Sequence, residues 1–296
     1  MTDFSLEFVF ASGEKHSPKA EPSEWLLKCN ADTVADSLTV RFSVGKRLFM
    51  EEPVGAVLKK DGAVLFDGIV DEHRVKCQNG ARTEVFFLRS RAALLLDNEA
   101  APMELRLPSL RLLERMYLMP LGLHAVGGDR RPVEGVLTVE KGVSCFEALQ
   151  TFSERYLNCT PYTDKNGGVH FESYVPKTVK PDWVTAREVI FCPYKMLSGV
   201  TVQNAQTGAY SAEYHDPLAP QVRVRYLSAY AKTAPTALLN ESRRAAKRLK
   251  LTCASYIDGN MGDTMRTEEL GEVRLISKNV LLRGKDVKTE LHFEPV

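Results

Sequence analysis

The sequence has no excess of charge of either sign. Its 296 residues carry 39 Lys and Arg against 38 Asp and Glu, which gives a formal net charge of +1. Bulk electrostatics therefore favour neither specific nucleic-acid binding nor attachment to a membrane surface. No apolar run approaches the roughly 20 residues that span a bilayer. The N-terminal stretch has no basic region followed by an apolar run, so we expect no signal peptide and folding in a cytoplasm.

Paired cysteine motifs are missing as well. The six cysteines are scattered, with no CxxC and no framework typical of a small disulfide-rich domain. They are Cys29, Cys77, Cys145, Cys159, Cys192 and Cys253. The pattern predicts free and mostly buried thiols rather than nucleophiles or metal ligands, because a local histidine or cysteine partner is absent.

The common enzyme signatures are absent. The sequence contains no GxSxG, HExxH, GxxxxGK[ST] or GxGxxG motif, and no two of its six histidines are spaced for one face of a helix. We therefore predict no catalytic, cofactor-binding or metal-binding residues.

The most informative stretch that is present covers residues 64–100. Two strands, predicted over 64–74 and 83–89, turn back on each other at Asn79-Gly80, because this dipeptide supplies the positive φ angles of a tight hairpin. The second strand is apolar at four consecutive positions, which indicates cover on both faces. A short apolar helix over 92–98 follows. This order is typical of a sheet that closes into a barrel and continues into another domain.

The pattern of the full sequence predicts three domains. The first, residues 1–97, is an N-terminal β-barrel domain. Strands are predicted over 3–10, 24–30, 37–44 and 55–60, with period-two alternation over 3–10 and 37–44. Short strands joined by Gly and Asp turns favour a barrel or sandwich.

Residues 98–175 read as an α+β middle domain. A connection over 102–108 leads to a helix over 110–118, a strand over 135–140, a helix over 145–157 and a closing hairpin. Ser144 is the expected N-cap of the second helix, with Glu147 completing a capping box.

Residues 176–296 read as a second β-barrel domain with an inserted helix. Strands are predicted over 189–192, 198–204, 208–214, 221–226, 270–278 and 286–293. A helix is predicted over 236–252 because this segment is rich in Ala, Leu, Arg and Lys. The fold class is thus mainly β with an α+β middle: two β-barrel-like domains flanking a small α+β domain.

Four local groups of residues invite a chemical interpretation. Asp67 and Asp71 share a strand face near Glu72 and are either an acid/base pair or outward positions of a hairpin. His215-Asp216 is the only adjacent His/carboxylate pair and is otherwise a loop before a proline.

The other two groups are basic. Residues 127–131 (GGDRR) are either an anion cradle or an exposed turn. The basic run within 243–250 lacks the interleaved aromatic residues of nucleic-acid sites and favours a solvated helix face or contact with an acidic subunit.

Three segments resemble the baseplate hub proteins of contractile phage tails, including the late control protein D family and the hub part of type VI secretion spikes. The first segment runs through Phe66-Asp67-Gly68-Ile69-Val70 and then from Phe86 to Asp97 (FFLRSRAALLLD), although Leu88 replaces the usual glycine before the Arg-Ser pair. The central segment, from residue 120 through Gly142-Val143-Ser144 to 157, resembles the family's middle domain. The third segment is an Ala/Arg-rich helix, expected over 245–251, that precedes strands 271–277 and 289–293.

The resemblance implies a virion structural protein without catalysis. Two barrels per chain in a homotrimer would give a pseudo-sixfold ring that adapts the hexameric tail tube to the trimeric central spike. The implied partners are the tail tube protein, the central spike protein, other baseplate proteins and the tape-measure protein, without membrane binding or specific nucleic-acid binding. The implied location is the baseplate of a virion or phage-tail-like particle assembled in the bacterial cytoplasm. Arg89 and Arg91 become candidates for fixing domains or subunits against each other.

Two alternatives remain open at this point. One is a tail-associated enzyme that cleaves carbohydrate or peptidoglycan with Asp67 and Asp71. Such hydrolases usually append a separate catalytic domain, whereas this sequence is expected to end with its second barrel at Val296. The other is a β-rich ligand-binding module with a deep apolar pocket.

Overall fold

The computed structural model describes residues 3–231 and 233–296. Strands make up 45% of the structure and helices 15%. The predicted fold class, mainly β with a small helical content, is confirmed. The chain divides into two compact units, one made of residues up to 175 with 279–287, the other of 176–278 with 288–296. The finer division into domains 1–97, 98–175 and 176–296 stays a prediction.

The first unit begins with an antiparallel sheet. Its strands within the described residues are β1 (Phe4–Val9), β2 (Lys15–His16), β3 (Glu24–Asn30), β4 (Ser37–Val44), β5 (Gly55–Lys60), β6 (Ala63–Gln78) and β7 (Ala81–Ser90). They are adjacent in the order β3-β4-β7-β6-β5-β1-β2. The buried rings of Phe8, Phe42 and Phe86 meet on one face, with the Phe8 and Phe86 centroids 4.7 Å apart. This aromatic cluster is the core of the sheet.

The β6–β7 hairpin is longer than predicted and its turn forms as expected. Asn79 and Gly80 take φ angles of 51° and 77°, the pair of positive values that a type I′ turn requires. The prediction that β7 is covered on both faces was wrong. Glu84, Phe86 and Leu88 are buried, whereas the alternate positions are only half-buried, because one face of the sheet packs on the aromatic core and the other does not.

The remainder of the first unit is a small α+β region. Its elements are α1 (Ala93–Asp97), β8 (Met103–Arg106), α2 (Leu110–Leu113), β9 (His124–Val126), β10 (Val136–Val139), α3 (Cys145–Phe152), β11 (Tyr162–Thr163) and β12 (Gly168–His170). A π-helical turn continues α2 over Glu114–Leu118 and another continues α3 over Ser153–Leu157.

Two local predictions for this region have clear outcomes. The expected connection over 102–108 contains a strand, β8, because Val136–Val139 supplies an antiparallel partner for it. The predicted capping box is present: the Glu147 amide donates to Ser144 Oγ at 3.2 Å, and the Ser144 amide donates to the Glu147 carboxylate at 2.7 Å.

The second unit contains one larger sheet, a three-stranded sheet and a helix. Its elements are β13 (Val184–Phe191), β14 (Gly199–Gln203), β15 (Tyr210–His215), β16 (Val224–Leu227), α4 (Pro235–Ala245), β17 (Lys247–Cys253), β18 (Thr264–Thr267), and most of β19 (Gly271–Arg283) and β20 (Asp286–Pro295). The order in the larger sheet is β13-β17-β20-β19, with β18 on β19, and in the smaller one β15-β14-β16.

The predicted helix over 236–252 forms in its first part only, and the prediction for its second part was wrong. It ends at Ala245, and the chain continues as strand β17. Leu249, Leu251 and Cys253 alternate along β17 and are buried in the core of the second unit. Pairing of β17 with both β13 and β20 overrides the helix propensity of the segment.

Candidate functional site

The step from β7 into α1 is held by Arg89. Its Nε and Nη2 donate to the two oxygens of Asp71 at 2.5 and 3.0 Å, and its Nη1 and Nη2 donate to those of Asp97 at 3.1 and 2.7 Å. Asp71 is on β6 at a bulge in the pairing with β7, and Asp97 is the last residue of α1. One guanidinium therefore ties the sheet to the helix that leaves it. We call Arg89, Arg91, Asp67, Asp71 and Asp97 the arginine joint.

The second arginine of the joint, Arg91, also bonds to an aspartate of β6. Arg91 Nε donates to Asp67 Oδ1 at 3.1 Å, and the Arg91 amide donates to the Asp67 carbonyl at 3.3 Å. Gly68 lets the strands approach at this point. A Cβ on Gly68 would lie 2.3 Å from the Arg89 carbonyl oxygen and 2.4 Å from the Phe66 ring, so only glycine fits there.

The contacts of the joint give no support to the paired-carboxylate interpretation considered above. Asp67 accepts a hydrogen bond from the Arg91 guanidinium, and Asp71 accepts from the Arg89 guanidinium. The hydrogen bonds from Arg89 to Asp71, and then to Asp97, raise the pKa of the Arg89 guanidinium above its usual value. The two aspartates are half-buried and ion-paired rather than solvated outward positions.

The joint lies between the two parts of the first unit. Leu95 of α1 is fully buried in the core that contains α2 and α3. The Thr163 hydroxyl donates to the Val34 carbonyl at 2.7 Å, which links the β11–β12 hairpin to the loop before β4. The joint therefore connects an antiparallel sheet and an α+β region within one compact unit.

The GGDRR segment is an exposed turn whose two arginines form ion pairs with carboxylates of the same unit. Gly127 and Gly128 have φ angles of 66° and 70°. Arg131 forms an ion pair with Asp129, which lowers the pKa of Asp129 to about 2. Arg130 donates to Glu114 Oε2 and to the Ala125 carbonyl, each at 2.9 Å. A groove of about 720 Å³ lies beside the turn, but both arginines are already engaged, so the turn interpretation fits better than an anion cradle.

The adjacent pair His215-Asp216 is not a functional unit. His215 Nε2 contacts Glu213 at 3.2 Å on the surface. Asp216 is buried and accepts hydrogen bonds from Arg243 Nε and Nη2 at 3.1 and 2.7 Å. This ion pair lowers the pKa of Asp216 and fastens α4 to the loop after β15.

The basic run does not lie on one helix face. Arg243 is on α4, whereas Lys247 and Lys250 are on β17, and Lys250 forms an ion pair with Glu290 of β20 at 3.0 Å. Arg243 and Lys250 therefore form ion pairs within the second unit, and the run does not form one solvated helical patch.

Sequence reasoning missed a charged cluster around His73. Its imidazole stacks on Phe86, with ring centroids 4.1 Å apart and planes 7° apart. Nδ1 lies 2.7 Å from Glu52 Oε2, and Nε2 lies 3.2 Å from Oε2 of the fully buried Glu84. The hydrogen bond from His73 is the main reason why the pKa of Glu52 is lowered. The signal was available: a two-residue turn at Asn79-Gly80 sets a register that places His73 opposite Phe86.

The second unit exposes an unusually apolar strand. All but one residue of β13 are exposed. Val184, Val189 and Phe191 are 47%, 48% and 54% accessible, and Trp183 just before them is 77% accessible. Among the described strands, β13 pairs only with β17, so its other edge is free.

The three-stranded sheet of this unit also exposes aromatic residues. Tyr210 of β15 and Tyr226 of β16 form an edge-to-face pair with centroids 5.2 Å apart, and both are exposed. Val200 on the opposite face packs against Leu239 of α4. Only one face of the sheet is thus covered within the unit.

Several functional classes find no support in the residues that the structure describes. No group of three or more His, Cys, Asp or Glu side chains among them could hold a metal ion. All six cysteines, each within the described ranges, are free thiols. None of the described helices has the length and apolar character needed to cross a bilayer.

Comparison with solved structures identifies the fold. A tail protein from Neisseria meningitidis MC58 superposes with a TM-score of 0.70 at 16% identity, over 99% of this chain and 96% of that one. The 43 kDa tail protein of prophage MuSo2 from Shewanella oneidensis gives a TM-score of 0.79 at 13% identity, over 100% and 98% of the two chains. The chain has the fold of phage tail proteins.

The same fold extends to secretion machinery. An Escherichia coli component of the type VI secretion system, described as structurally similar to bacteriophage T4 tail proteins, matches 99% of this chain and 77% of its own. Its TM-score is 0.55 at 9% identity. No protein-family model and no curated protein matches the sequence.

Proposed function

We propose that this protein is a structural component of a phage tail or a related contractile injection particle, where it acts as the baseplate hub. In this role a homotrimeric ring adapts the hexameric tail tube to the trimeric central spike. The tube protein, the spike protein, neighbouring baseplate proteins and the tape-measure protein are its partners. The protein acts without catalysis, in a virion or tail-like particle assembled in the bacterial cytoplasm.

One observation carries the proposal. Two tail proteins share the fold over at least 99% of this chain and at least 96% of their own length. The correspondence therefore includes both compact units and not only one common barrel. A chain of a solved PdpA–VgrG complex is similar in fold over 99% of this chain and 64% of its own length, with a TM-score of 0.57.

The chemistry of the described residues agrees with a structural role. The carboxylates that suggested acid/base catalysis are held by Arg89 and Arg91, and they fix the geometry between a sheet and a helix. Rigid joints of this kind suit a ring adaptor, because its binding faces must keep a fixed spacing. Exposed apolar positions on β13 and on the three-stranded sheet supply contact surface for neighbours in an assembly.

The proposal is tested by native mass spectrometry of the purified chain, together with proteomics of tail particles from a bacterium that produces it. We expect a trimer and stoichiometric presence in the particles. A chain that stays monomeric at high concentration and is absent from every particle would overturn the proposal.

A peptidoglycan-cleavage assay separates the hub from the tail-associated hydrolase. We expect no cleavage by the unmodified protein. Cleavage that is lost in Asp67→Asn/Asp71→Asn, but retained in the matched variant Asp129→Asn, would contradict the non-enzymatic role.

A further inference from the structure

One connection of the first unit passes across two strands of the sheet. Residues 45–54 join β4 to β5, and β7 and β6 lie between those two strands. We call this connection the strap. Its Phe49 ring packs on the aromatic core, with its centroid 5.0 Å from that of Phe8 and 5.4 Å from that of Phe10. The next residue, Met50, is exposed.

Side-chain contacts hold the strap in place. In the part of the chain that the structure describes, residues 46–53 make no hydrogen bond between backbone groups. The Leu48 amide instead donates to Glu84 Oε1 at 3.4 Å, and Oε2 of Glu52 lies 2.7 Å from Nδ1 of His73. Both contacts lead to one cluster, in which His73 of β6 meets Glu84 of β7.

His73 has a carboxylate at each ring nitrogen. Nδ1 faces Glu52 at 2.7 Å and Nε2 faces Glu84 at 3.2 Å. An ionised carboxylate only accepts hydrogen bonds, and a neutral imidazole has a single N–H. Both carboxylates therefore have a donor only when the ring is protonated. The neutral ring directs a lone pair at one carboxylate, and its stacking on Phe86 keeps it in this orientation.

The two carboxylates differ in their freedom to move away. The side chain of Glu84 is 1% exposed and also accepts from Arg82 Nε at 2.7 Å. Glu52 is 59% exposed, and its other partner, Arg47, belongs to the strap itself. A buried carboxylate without its hydrogen bonds is costly, so the neutral ring keeps its proton on Nε2, towards Glu84. Loss of the Nδ1 proton then releases Glu52.

We propose that His73 is a proton-operated latch that closes the strap over the aromatic core. Among the described residues, Glu52 and Glu84 face the ring, with Arg47 and Arg82 bonded to these carboxylates. The closed strap is favoured while the ring is protonated, and this contribution is lost as pH rises through the titration of the ring. The latch acts within a single chain and does not depend on the proposed function.

Two measurements on the full chain test the latch, over a pH series from about 6 to about 10 that covers ordinary histidine titration. Nitrogen-15 NMR follows the protonation of the His73 ring, and the spectrum of His73→Gln identifies its signals. Subtilisin cleavage within the strap, mapped by mass spectrometry, follows strap opening, because slow cleavage tracks the population of the open form. Rates are divided by those of a synthetic peptide of residues 43–56, which removes the pH dependence of the protease.

The unmodified protein should show one step in strap cleavage. We expect the normalised rate to rise about tenfold, as the loss of one hydrogen bond between charged groups implies. The midpoint of this rise should coincide with the titration of the His73 ring. A ring that keeps one protonation state over the series, or cleavage that does not change as the ring titrates, would overturn the proposal without any variant.

Two variants separate the latch from a general loosening of the fold. His73→Gln should abolish the step, because the introduced side chain does not titrate. Glu52→Gln should also abolish it while cleavage stays slow, because the introduced amide can donate to the unprotonated Nδ1 while Nε2 donates to Glu84. Cleavage of Glu52→Gln that still rises as the ring titrates would contradict the latch.

The matched control is His170→Gln. His170 is also largely buried, stacks on Tyr162 and bonds to Asp164 at 2.8 Å, but it lies on β12 in the α+β region. This variant should keep the step in strap cleavage. A step that survives in His73→Gln, or that disappears equally in His170→Gln, would overturn the assignment to His73. Circular dichroism checks that each variant is folded, and the measurements on the unmodified protein decide alone where a variant is not.

Discussion

Replacing Arg89 with methionine should lower the free energy of unfolding of the first unit by about 1–2 kcal/mol. Methionine keeps the aliphatic length of the side chain and removes the ion pairs with Asp71 and Asp97. Arg89, Asp71 and Asp97 are 35%, 30% and 43% exposed, so solvent screens each pair. Exposed pairs contribute roughly 0.2–1 kcal/mol each, and bidentate geometry places these two near the upper end.

The measurement uses the distribution of tryptophan in the chain. Trp25 is buried in the first unit and Trp183 is exposed in the second. In a Trp183→Phe background, the fluorescence of Trp25 during urea unfolding reports the first unit alone. A loss of 1–2 kcal/mol corresponds to a fall in Tm of about 2–8 °C for a unit of this size.

A matched control separates the joint from surface charge in general. Arg131→Met removes an ion pair within an exposed turn and should change the unfolding free energy by less than about 0.5 kcal/mol. Double-mutant cycles of Arg89→Met with Asp71→Asn and with Asp97→Asn should each show coupling. Equal effects of Arg89→Met and Arg131→Met, or no coupling in either cycle, would refute the structural role of the joint.

Three further predictions concern the first unit. Gly68→Ala should lower the free energy of unfolding, measured with urea, by about 2–4 kcal/mol, because the added Cβ would overlap the Arg89 carbonyl oxygen. A loss below about 0.5 kcal/mol would show that the two strands can move apart at this point. Ser144→Ala should cost about 1 kcal/mol through loss of the N-cap, and Ser144→Asp should restore most of it. The lowered pKa of Glu52 means that its carboxylate stabilises the fold above its ordinary pKa, and that this stabilisation is lost as pH falls through the lowered value. Glu52→Gln should therefore reduce the slope of the free energy of unfolding against pH on the acid side. An unchanged slope would contradict the hydrogen bond between Glu52 and His73.

Local turn and cap chemistry made much of the β-rich fold predictable. Asn79-Gly80 adopts the φ angles expected of a hairpin, and Ser144 with Glu147 forms the expected capping box. These signals depend on a few neighbouring residues, and backbone sterics decide them. Strands such as Glu24–Asn30 and Ser37–Val44 have the predicted bounds because their alternation matches a half-buried sheet.

The errors arose where distant pairing decides the conformation. Residues 247–253 have helix-forming composition but alternate Leu249, Leu251 and Cys253 with polar residues. Strands on both sides select this period of two. The ion-pair partners of Arg89 could not be predicted either, since Asp71 and Asp97 lie 18 and 8 positions away in the chain. A bulge and a helix end bring them together, and neither feature has a strong local signal.

The central claim is that copies of this protein form a ring at the junction of tail tube and spike. A cryo-electron microscopy map of tail particles from a producing bacterium tests this most directly. The account predicts density for three copies of the chain at that junction. A junction occupied by a different protein, in particles from which this chain is absent, would contradict it.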